Sequence, residues 1–214
     1  MKRQTRLAVT GLLIAALLSL AACGGSGGGQ ENDSHGDMRG MDHSGMDHGS
    51  MDMGPMLMAD GEYSDERFID LMIPHHQGAV DMARIALDGN AEHAEIEELS
   101  RNIIETQNAE IEELRDIKQE AFGTREISSD VTQEDMAMMR MMEDPEEFAN
   151  ADPFDLAFIE NMIPHHQSAI DMAEVALENS DNEQIRTLAE EIIAAQEREI
   201  AQMREWRESS ERWS

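Results

Sequence analysis

The sequence predicts an all-α protein, a four-helix bundle made of two duplicated αα-hairpins. A stretch of twelve residues occurs twice, at 72–83 and at 162–173, with ten of its twelve positions identical. Four long segments also have apolar residues at helical spacing, without the alternation of a strand. Each copy of the stretch belongs to a pair of such segments joined by a short turn. Two hairpins of this kind pack as a four-helix bundle.

The first repeat is predicted over 64–122. Its first helix covers 65–88, with Ser64 as the N-cap, and its second helix covers 91–122. The glycines at 89 and 123 follow the two helices, as expected at helix C-termini. Because the turn at 89–90 is short, the two helices must be antiparallel neighbours.

The second repeat is predicted over 152–208, leaving a tail at 209–214. Its first helix begins with Asp152 as N-cap and Pro153 at the first helical position, and reaches residue 178. Its second helix opens with a capping box at 180–183 and continues to 208.

The linker between the repeats, 123–151, is predicted to carry a short helix over 133–142. The methionines of this segment are more typical of packing against a bundle than of metal ligation. They are Met136, Met138, Met139, Met141 and Met142.

Residues 1–22 have the pattern of a secretory signal. Basic residues precede an apolar run over 7–20 that is too short to span a membrane. The run ends in Leu20-Ala21-Ala22-Cys23, which resembles a bacterial lipobox, in which the cysteine is lipidated. Cys23 is also the single cysteine, which excludes an intramolecular disulfide. We therefore expect export and a lipid anchor on the outer face of the bacterial membrane, or a periplasmic location; an ordinary signal peptide with a cysteine nearby by chance is the alternative.

Residues 23–63 lack the apolar periodicity needed for a core. A Gly/Ser linker at 24–30 is followed by a segment at 35–58 that is rich in methionine and histidine. We interpret this segment as a disordered, metal-collecting arm; the alternative is a solvated low-complexity tether, for which methionine is an unusual choice. The candidate ligands of the arm are His35, Met38, Met41, His43, Met46, His48, Met51, Met53, Met56 and Met58.

The charge of the chain is strongly negative, with a formal value of −30 at neutral pH. Such a surface repels nucleic acid and concentrates cations. Nucleic-acid binding is therefore not expected, and any single carboxylate is by default part of a solvated helix face.

The repeated stretch carries soft metal donors beside a proline. Thioether and imidazole together suit copper, above all Cu(I), better than calcium or magnesium. On a helical wheel the histidines fall on either side of the apolar stripe, so they face the interior or its rim. The candidate ligands are Met72, His75, His76 and Met82, with their repeats Met162, His165, His166 and Met172.

Polar residues also interrupt the apolar stripes of the second and fourth helices, as Gln107 and Glu110 in one and Gln196 and Glu199 in the other. A buried carboxylate is costly unless it is paired or bound to a metal. Two interpretations remain open. These residues ligate or support a metal held by the motif, or they hydrogen-bond the histidines as a structural polar layer. His93 has no counterpart in the second repeat and is predicted to be a surface residue near a helix start.

The paired Met-Ile-Pro-His-His-Gln motifs, each followed by Asp-Met-Ala, resemble the bacterial family known as domain of unknown function three hundred and five. The resemblance covers about 64–206, and both motif copies are intact. It implies a ferritin-like four-helix bundle and an extracytoplasmic copper-binding protein of the copper-resistance type.

These observations together predict a lipid-anchored protein that sequesters or transfers copper, with Cu(I) favoured over Cu(II) and silver as a related ion. Its expected partners are metal ions, the membrane, and a copper exporter or oxidase; it is not expected to be an enzyme. Because ligation needs neutral histidine, binding is expected to weaken below about pH 6.5. One alternative is a ferritin-like carboxylate/histidine metal oxidase, although the motif lacks the Glu-x-x-His of that class. Another is an envelope interaction module with incidental metal binding.

Overall fold

A computed structural model of the chain describes residues 52–139 and 144–209. These residues belong to one unit, which spans Gly45–Ser214. The signal segment, Cys23, the arm up to Met51, and the linker methionines Met141 and Met142 lie outside the described residues. Within the described part, no helix is both long enough and apolar enough to cross a membrane.

The first hairpin consists of α1 (Asp65–Ile85) and α2 (Ala94–Phe122), joined by a π-helical turn (Ala86–Asn90). Ser64 caps α1 as predicted, since its hydroxyl accepts a hydrogen bond from the Arg67 amide at 3.2 Å. Gly89 and Gly123 adopt positive φ angles of 98° and 77°, a region that glycine enters without the steric cost of a side chain. α1 ends at Ile85, earlier than predicted, because the chain forms a π-helical turn from Ala86 onward.

Two further short helices, α3 (Gln133–Met138) and α4 (Pro145–Ala149), lie in the linker. The second hairpin follows, with α5 (Phe154–Asn179) and α6 (Glu183–Glu208). The predicted caps of α5 and α6 were wrong by one or two residues. Pro153 occupies the N-cap position of α5, and the Asn182 side chain, rather than Ser180, caps α6. Each hairpin packs mainly on itself, and α1 also contacts α5 while α2 contacts α6, which confirms the four-helix bundle.

The segment before α1 is ordered against the bundle from residue 52 onward. It forms a 3-10 helix (Gly54–Leu57) and a small hairpin of β1 (Met58–Ala59) and β2 (Glu62–Tyr63). Met53 and Met56 are only 1% and 4% exposed, and the Arg67 side chain donates to the Met56 carbonyl at 3.0 Å. The interpretation of both methionines as part of a disordered arm was therefore wrong. Their apolar side chains find a partner in the bundle core, whereas Met58 remains 38% exposed.

The linker methionines of the described region differ in their environment. Met139 is completely buried in the core, Met138 packs on it in part, and Met136 is exposed. The packing role predicted for this run is thus observed at Met138 and Met139.

The core is divided into two apolar clusters, and the sequence positions between them are polar on all four long helices. The first cluster includes Met72, Leu114, Met139, Met172 and Leu188. The second cluster includes Met82, Ile103, Phe158, Met162 and Met203. On α1, α2 and α6 the membership changes from one cluster to the other across a short polar interval. On α5 it changes beyond the histidines, with Ala169 in the first cluster and Ile170 still in the second. We call the residues of these intervals the polar layer: His75, His76, Gln107, Glu110, His165, His166, Gln196 and Glu199.

Candidate metal centre

The four motif histidines are completely buried in the middle of the bundle, each with 0% exposure. They follow Pro74 on α1 and Pro164 on α5, two prolines that both helices accommodate in their interior. A proline lacks the N–H that would bond the carbonyl four residues earlier. The sequence thus places the imidazoles where the helix backbone is itself incompletely hydrogen-bonded.

The two histidine pairs meet across the interface of α1 and α5. The ring centroids of His75 and His165 are 3.9 Å apart with an interplanar angle of 38°. His76 lies 6.2 Å from His75, and His166 lies 6.3 Å from His165, again between ring centroids. The two motifs could in principle form one shared centre or two separate ones. In the structure they form one cluster of four imidazoles.

Each outer histidine of the cluster faces a glutamate of the other helix in its own hairpin. His166 Nε2 and Glu199 Oε2 are hydrogen-bonded at 2.6 Å. His76 Nε2 and Glu110 Oε2 are at an ion-pair distance of 2.8 Å, without hydrogen-bond alignment. The Nδ1 atoms of both rings are buried and have no hydrogen-bond partner. A carboxylate on one ring nitrogen is the usual support for an imidazole that ligates a metal through the other.

The inner histidine of the first repeat has a different partner, which sequence reasoning missed. His75 Nε2 lies 2.9 Å from the hydroxyl oxygen of Ser168 on α5. Ser168 occupies one of the two positions at which the repeated stretches differ, and Gly78 stands at the equivalent position of the first repeat. That difference was the signal available in the sequence.

Several polar atoms of the layer remain without a hydrogen-bond partner. They include the Gln107 carbonyl oxygen and both side-chain polar atoms of Gln196. A buried polar group left unpaired costs about 1–3 kcal/mol. The structural interpretation is therefore observed for the glutamates, since Glu199 bonds His166, but in the described part of the chain no glutamine of the layer bonds a histidine. These unpaired oxygen and nitrogen atoms lie in the same layer as imidazoles that contact a carboxylate. Such an arrangement fits a site that binds a cation.

The predicted methionine ligands lie on both sides of the polar layer. Met72 and Met172 belong to the first apolar cluster, and Met82 and Met162 to the second, all with at most 1% exposure. Met72 precedes His75 by three residues, a spacing that makes the two side chains neighbours on one helix face. The thioethers thus have a core environment, and their role as ligands remains a prediction.

Burial holds the pKa of His75 and of His165 well below the ordinary value for histidine. Desolvation of the charged ring is the main cause, and the neighbouring imidazoles lower the pKa further, while a backbone contact between the two residues acts weakly in the opposite sense. Both rings therefore stay neutral in mild acid, so their nitrogen lone pairs remain available below the pH of 6.5 expected from the sequence.

A second group with metal-ligand chemistry lies at the start of α2. Ligand atoms of Glu92, His93 and Asp155 are within 4.8 Å of one another. Fully buried Asp155 accepts hydrogen bonds from the backbone amides of Glu92 and His93 at 3.0 and 2.8 Å, and its oxygen lies 2.7 Å from His93 Nδ1. Asp155 thus pairs with the backbone amides of the two residues directly before α2, near the positive end of the helix dipole, and with the His93 ring. His93 does lie at a helix start as predicted, but it is half-buried and paired.

Comparison with protein families gives one match. The family model described as "Domain of unknown function (DUF305)" matches residues 14–118 and again 65–207. No curated protein matches the chain.

Solved structures extend this comparison. The chain is 38% identical to "CopM in the Cu(I)-bound form", with a TM-score of 0.60, over 69% of this chain and 98% of that one. It is 39% identical to "CopM in the Cu(II)-bound form", with a TM-score of 0.63 and the same coverage. A DUF305 fragment from Deinococcus radiodurans, 21% identical with a TM-score of 0.62 over 68% of this chain and 95% of that one, shares the fold.

The buried neutral imidazoles predict that folding is sensitive to acid. Below about pH 6.5 the unfolded chain binds protons that His75 and His165 do not bind in the folded state. Stability is therefore present above that pH and is lost as the pH falls toward the lowered folded-state pKa values. The expected slope is ~1.4 kcal/mol per pH unit for each histidine.

Urea denaturation of the metal-free protein between about pH 7 and pH 5 measures this slope. The H75Q/H165Q variant should lose most of it, whereas H93Q, which keeps the four central histidines, should not. An identical slope in wild type and in H75Q/H165Q would contradict the assignment.

Proposed function

The chain belongs to the DUF305 family, and from that premise we propose that it is an exported protein that binds copper, and silver as a related ion, outside the cytoplasm. Structures of CopM in Cu(I)-bound and Ag-bound forms, both 38% identical to this chain, support the proposal. The observation that carries it is the buried cluster of four imidazoles with unpartnered Nδ1 atoms on His75, His76, His165 and His166.

The chemistry of the centre suits a soft monovalent ion. Imidazole nitrogens supply neutral donors, and methionines next to the layer supply thioethers, a combination that favours Cu(I) and tolerates Cu(II). Glu199 bonds His166 Nε2, and Glu110 lies 2.8 Å from His76 Nε2, so that the Nδ1 atoms of these rings would face the ion. The two carboxylates also offset the positive charge that the ion brings into a buried site.

The N-terminal region would deliver metal to this centre. We infer that Cys23 carries a lipid that anchors the protein to the outer face of the bacterial membrane, and that residues 35–51 collect ions. The arm would be shorter than the sequence suggested, because Met53 and Met56 belong to the core. A chain shortened to test the bundle alone must therefore begin at Asp52 rather than at Ser64. A copper exporter or oxidase would be the acceptor.

The metal-oxidase alternative has less support. Di-iron bundles of this architecture use four glutamates and two histidines. Among the described residues, the carboxylates at ion-pair distance from the central histidines are Glu110 and Glu199. One carboxylate per hairpin, with apolar clusters on both sides, favours metal binding over oxygen chemistry. The envelope-interaction alternative predicts, in contrast, that saturating copper leaves the melting temperature unchanged.

Removing the supporting carboxylates tests the bundle's role in metal binding. The E110Q/E199Q variant of the chain beginning at Asp52 should bind Cu(I) about 10–100-fold more weakly, because the outer histidines lose the partners that orient them. Competition with a chromophoric Cu(I) chelator measures the affinity.

The matched control is E105Q/E190Q, which makes the same change at exposed positions of α2 and α6. It should bind copper as the parent chain does. Equal weakening in both variants would indicate a general charge effect, and unchanged affinity in E110Q/E199Q would remove the glutamates from the centre.

Replacing the anchor cysteine tests the proposed location. Expressed with its signal segment in a bacterium, the full chain should partition into the detergent phase of a membrane extract, and the C23S variant should move to the aqueous phase. Detergent partitioning of C23S like that of wild type would rule out lipidation at Cys23.

A further inference from the structure

The hydroxyl oxygen of Ser168 lies at hydrogen-bonding distance from three atoms, whereas a hydroxyl can donate only one hydrogen bond. Its oxygen lies 2.7 Å from the carbonyl of His165, 2.9 Å from the carbonyl of Met139, and 2.9 Å from His75 Nε2. The side chain is buried, so all three contacts are within the protein. The partners therefore constrain where the hydroxyl hydrogen points.

Counting donors and acceptors decides the direction of each bond. A hydroxyl has one hydrogen, and a carbonyl oxygen can only accept. If the hydroxyl donated to His75, its oxygen would face two carbonyl oxygens at close range with no hydrogen between them. The hydroxyl therefore donates to a carbonyl, and His75 Nε2 donates to the Ser168 oxygen. This places the proton of His75 on Nε2 and its lone pair on Nδ1.

The unpaired ring nitrogen of His75 is Nδ1. This atom is buried and has no hydrogen-bond partner. The equivalent ring in the second repeat differs, because Gly78 offers no hydroxyl there, and neither nitrogen of His165 has a side-chain partner. The duplicated motifs thus present one fixed imidazole and one unfixed imidazole, in rings whose centroids are 3.9 Å apart.

We propose that Ser168 is a positioning residue that holds His75 as its Nε2–H tautomer and so makes Nδ1 the metal-ligating atom of that ring. The ligand role rests on the proposed copper function. The tautomer does not, because it follows from the hydrogen bonds of the metal-free protein. Ser168 stands where the first repeat has Gly78. It thus orients one ring of the centre before an ion binds.

The same hydroxyl also contacts the linker between the repeats, through the carbonyl oxygen of Met139. Met139 is buried in the first apolar cluster and directly follows α3. The single hydroxyl hydrogen can bond only one of the His165 and Met139 carbonyls, but both lie within 2.9 Å of the oxygen and confine the serine side chain between α5 and the linker. A hydroxyl confined in this way gives the His75 ring a fixed acceptor, which reduces the ordering required when the ring binds an ion.

Nitrogen NMR of the mature protein with isotope-labelled histidine tests the tautomer directly. In metal-free wild type, long-range proton–nitrogen correlations should show His75 with a protonated Nε2 and a bare Nδ1. The S168A variant should populate the other tautomer measurably. S168T, which keeps a hydroxyl, should restore the wild-type pattern, and S100A, which removes a buried serine hydroxyl that has no hydrogen-bond partner, should not change it. Circular dichroism verifies that each variant is folded.

Adding one equivalent of Ag(I) distinguishes the positioning role of Ser168 from the proposed metal binding by the central histidines. The expected result is a shift of the His75 Nδ1 resonance in wild type and an Ag(I) affinity about tenfold or more lower in S168A, recovered in S168T. A His75 proton on Nδ1 in metal-free wild type, an unchanged tautomer in folded S168A, or silver bound through His75 Nε2 would overturn the proposal for Ser168. If silver shifts none of the ring nitrogens of the central histidines, the proposed function fails, and the metal-free spectra then decide the positioning role of Ser168 separately.

Discussion

Burial of four imidazoles in the middle of an apolar bundle is the constraint on which the rest of the structure depends. An unpaired buried polar atom destabilises the fold, so a partner on a ring nitrogen stabilises it. Glu110, Glu199 and Ser168 supply three of these partners, each from a different helix. The Nδ1 atom of each ring has no hydrogen-bond partner, and in His165 neither nitrogen has one. The fold thus satisfies the buried polar groups of this layer only in part.

The position of the layer follows from the duplication. Because each hairpin carries its histidines on one helix and its glutamate on the other, packing two hairpins together brings all the polar intervals to the same level. The apolar clusters above and below close the layer from both ends. Met72 and Met172 close one side, and Met82 and Met162 close the other. Candidate thioether ligands therefore belong to both apolar clusters.

Much of this arrangement could be predicted from the sequence, since it depends on periodicity. The four long helices, the hairpin pairing, the inward histidines and the interrupted stripes at Glu110 and Glu199 all follow from spacing at 3.6 residues per turn. In the linker the prediction was less accurate, because α3 ends at Met138 rather than at 142 and α4 was not predicted. Cross-helix partners could not be predicted in the same way. That His76 rather than His75 meets Glu110 depends on how far α1 is rotated against α2. That Ser168 of one repeat reaches His75 of the other depends on how far α1 is rotated and shifted against α5, and no local pattern encodes either. The bonds from the amides before α2 to Asp155 of α5 were missed for the same reason.

The methionines show a second limit of sequence reasoning. A methionine before the first helix is consistent with a solvated metal-collecting arm or with a core side chain, because the residue is both a soft ligand and a flexible hydrophobe. Met53 and Met56 proved to be core, while Met58, two residues further, is exposed. Only the presence of an apolar surface on the bundle, completed by α3 and Met139 from the linker, decides between the two roles.

The location of bound copper tests the central claim most directly. Crystals of the Cu(I)-loaded chain beginning at Asp52, with diffraction recorded at the copper absorption edge, would locate each ion by its anomalous scattering. Ligation by the central imidazoles predicts a strong peak within bonding distance of ring nitrogens in the cluster formed by His75, His76, His165 and His166. Peaks confined to surface methionines or carboxylates, with none among the four imidazoles, would contradict it.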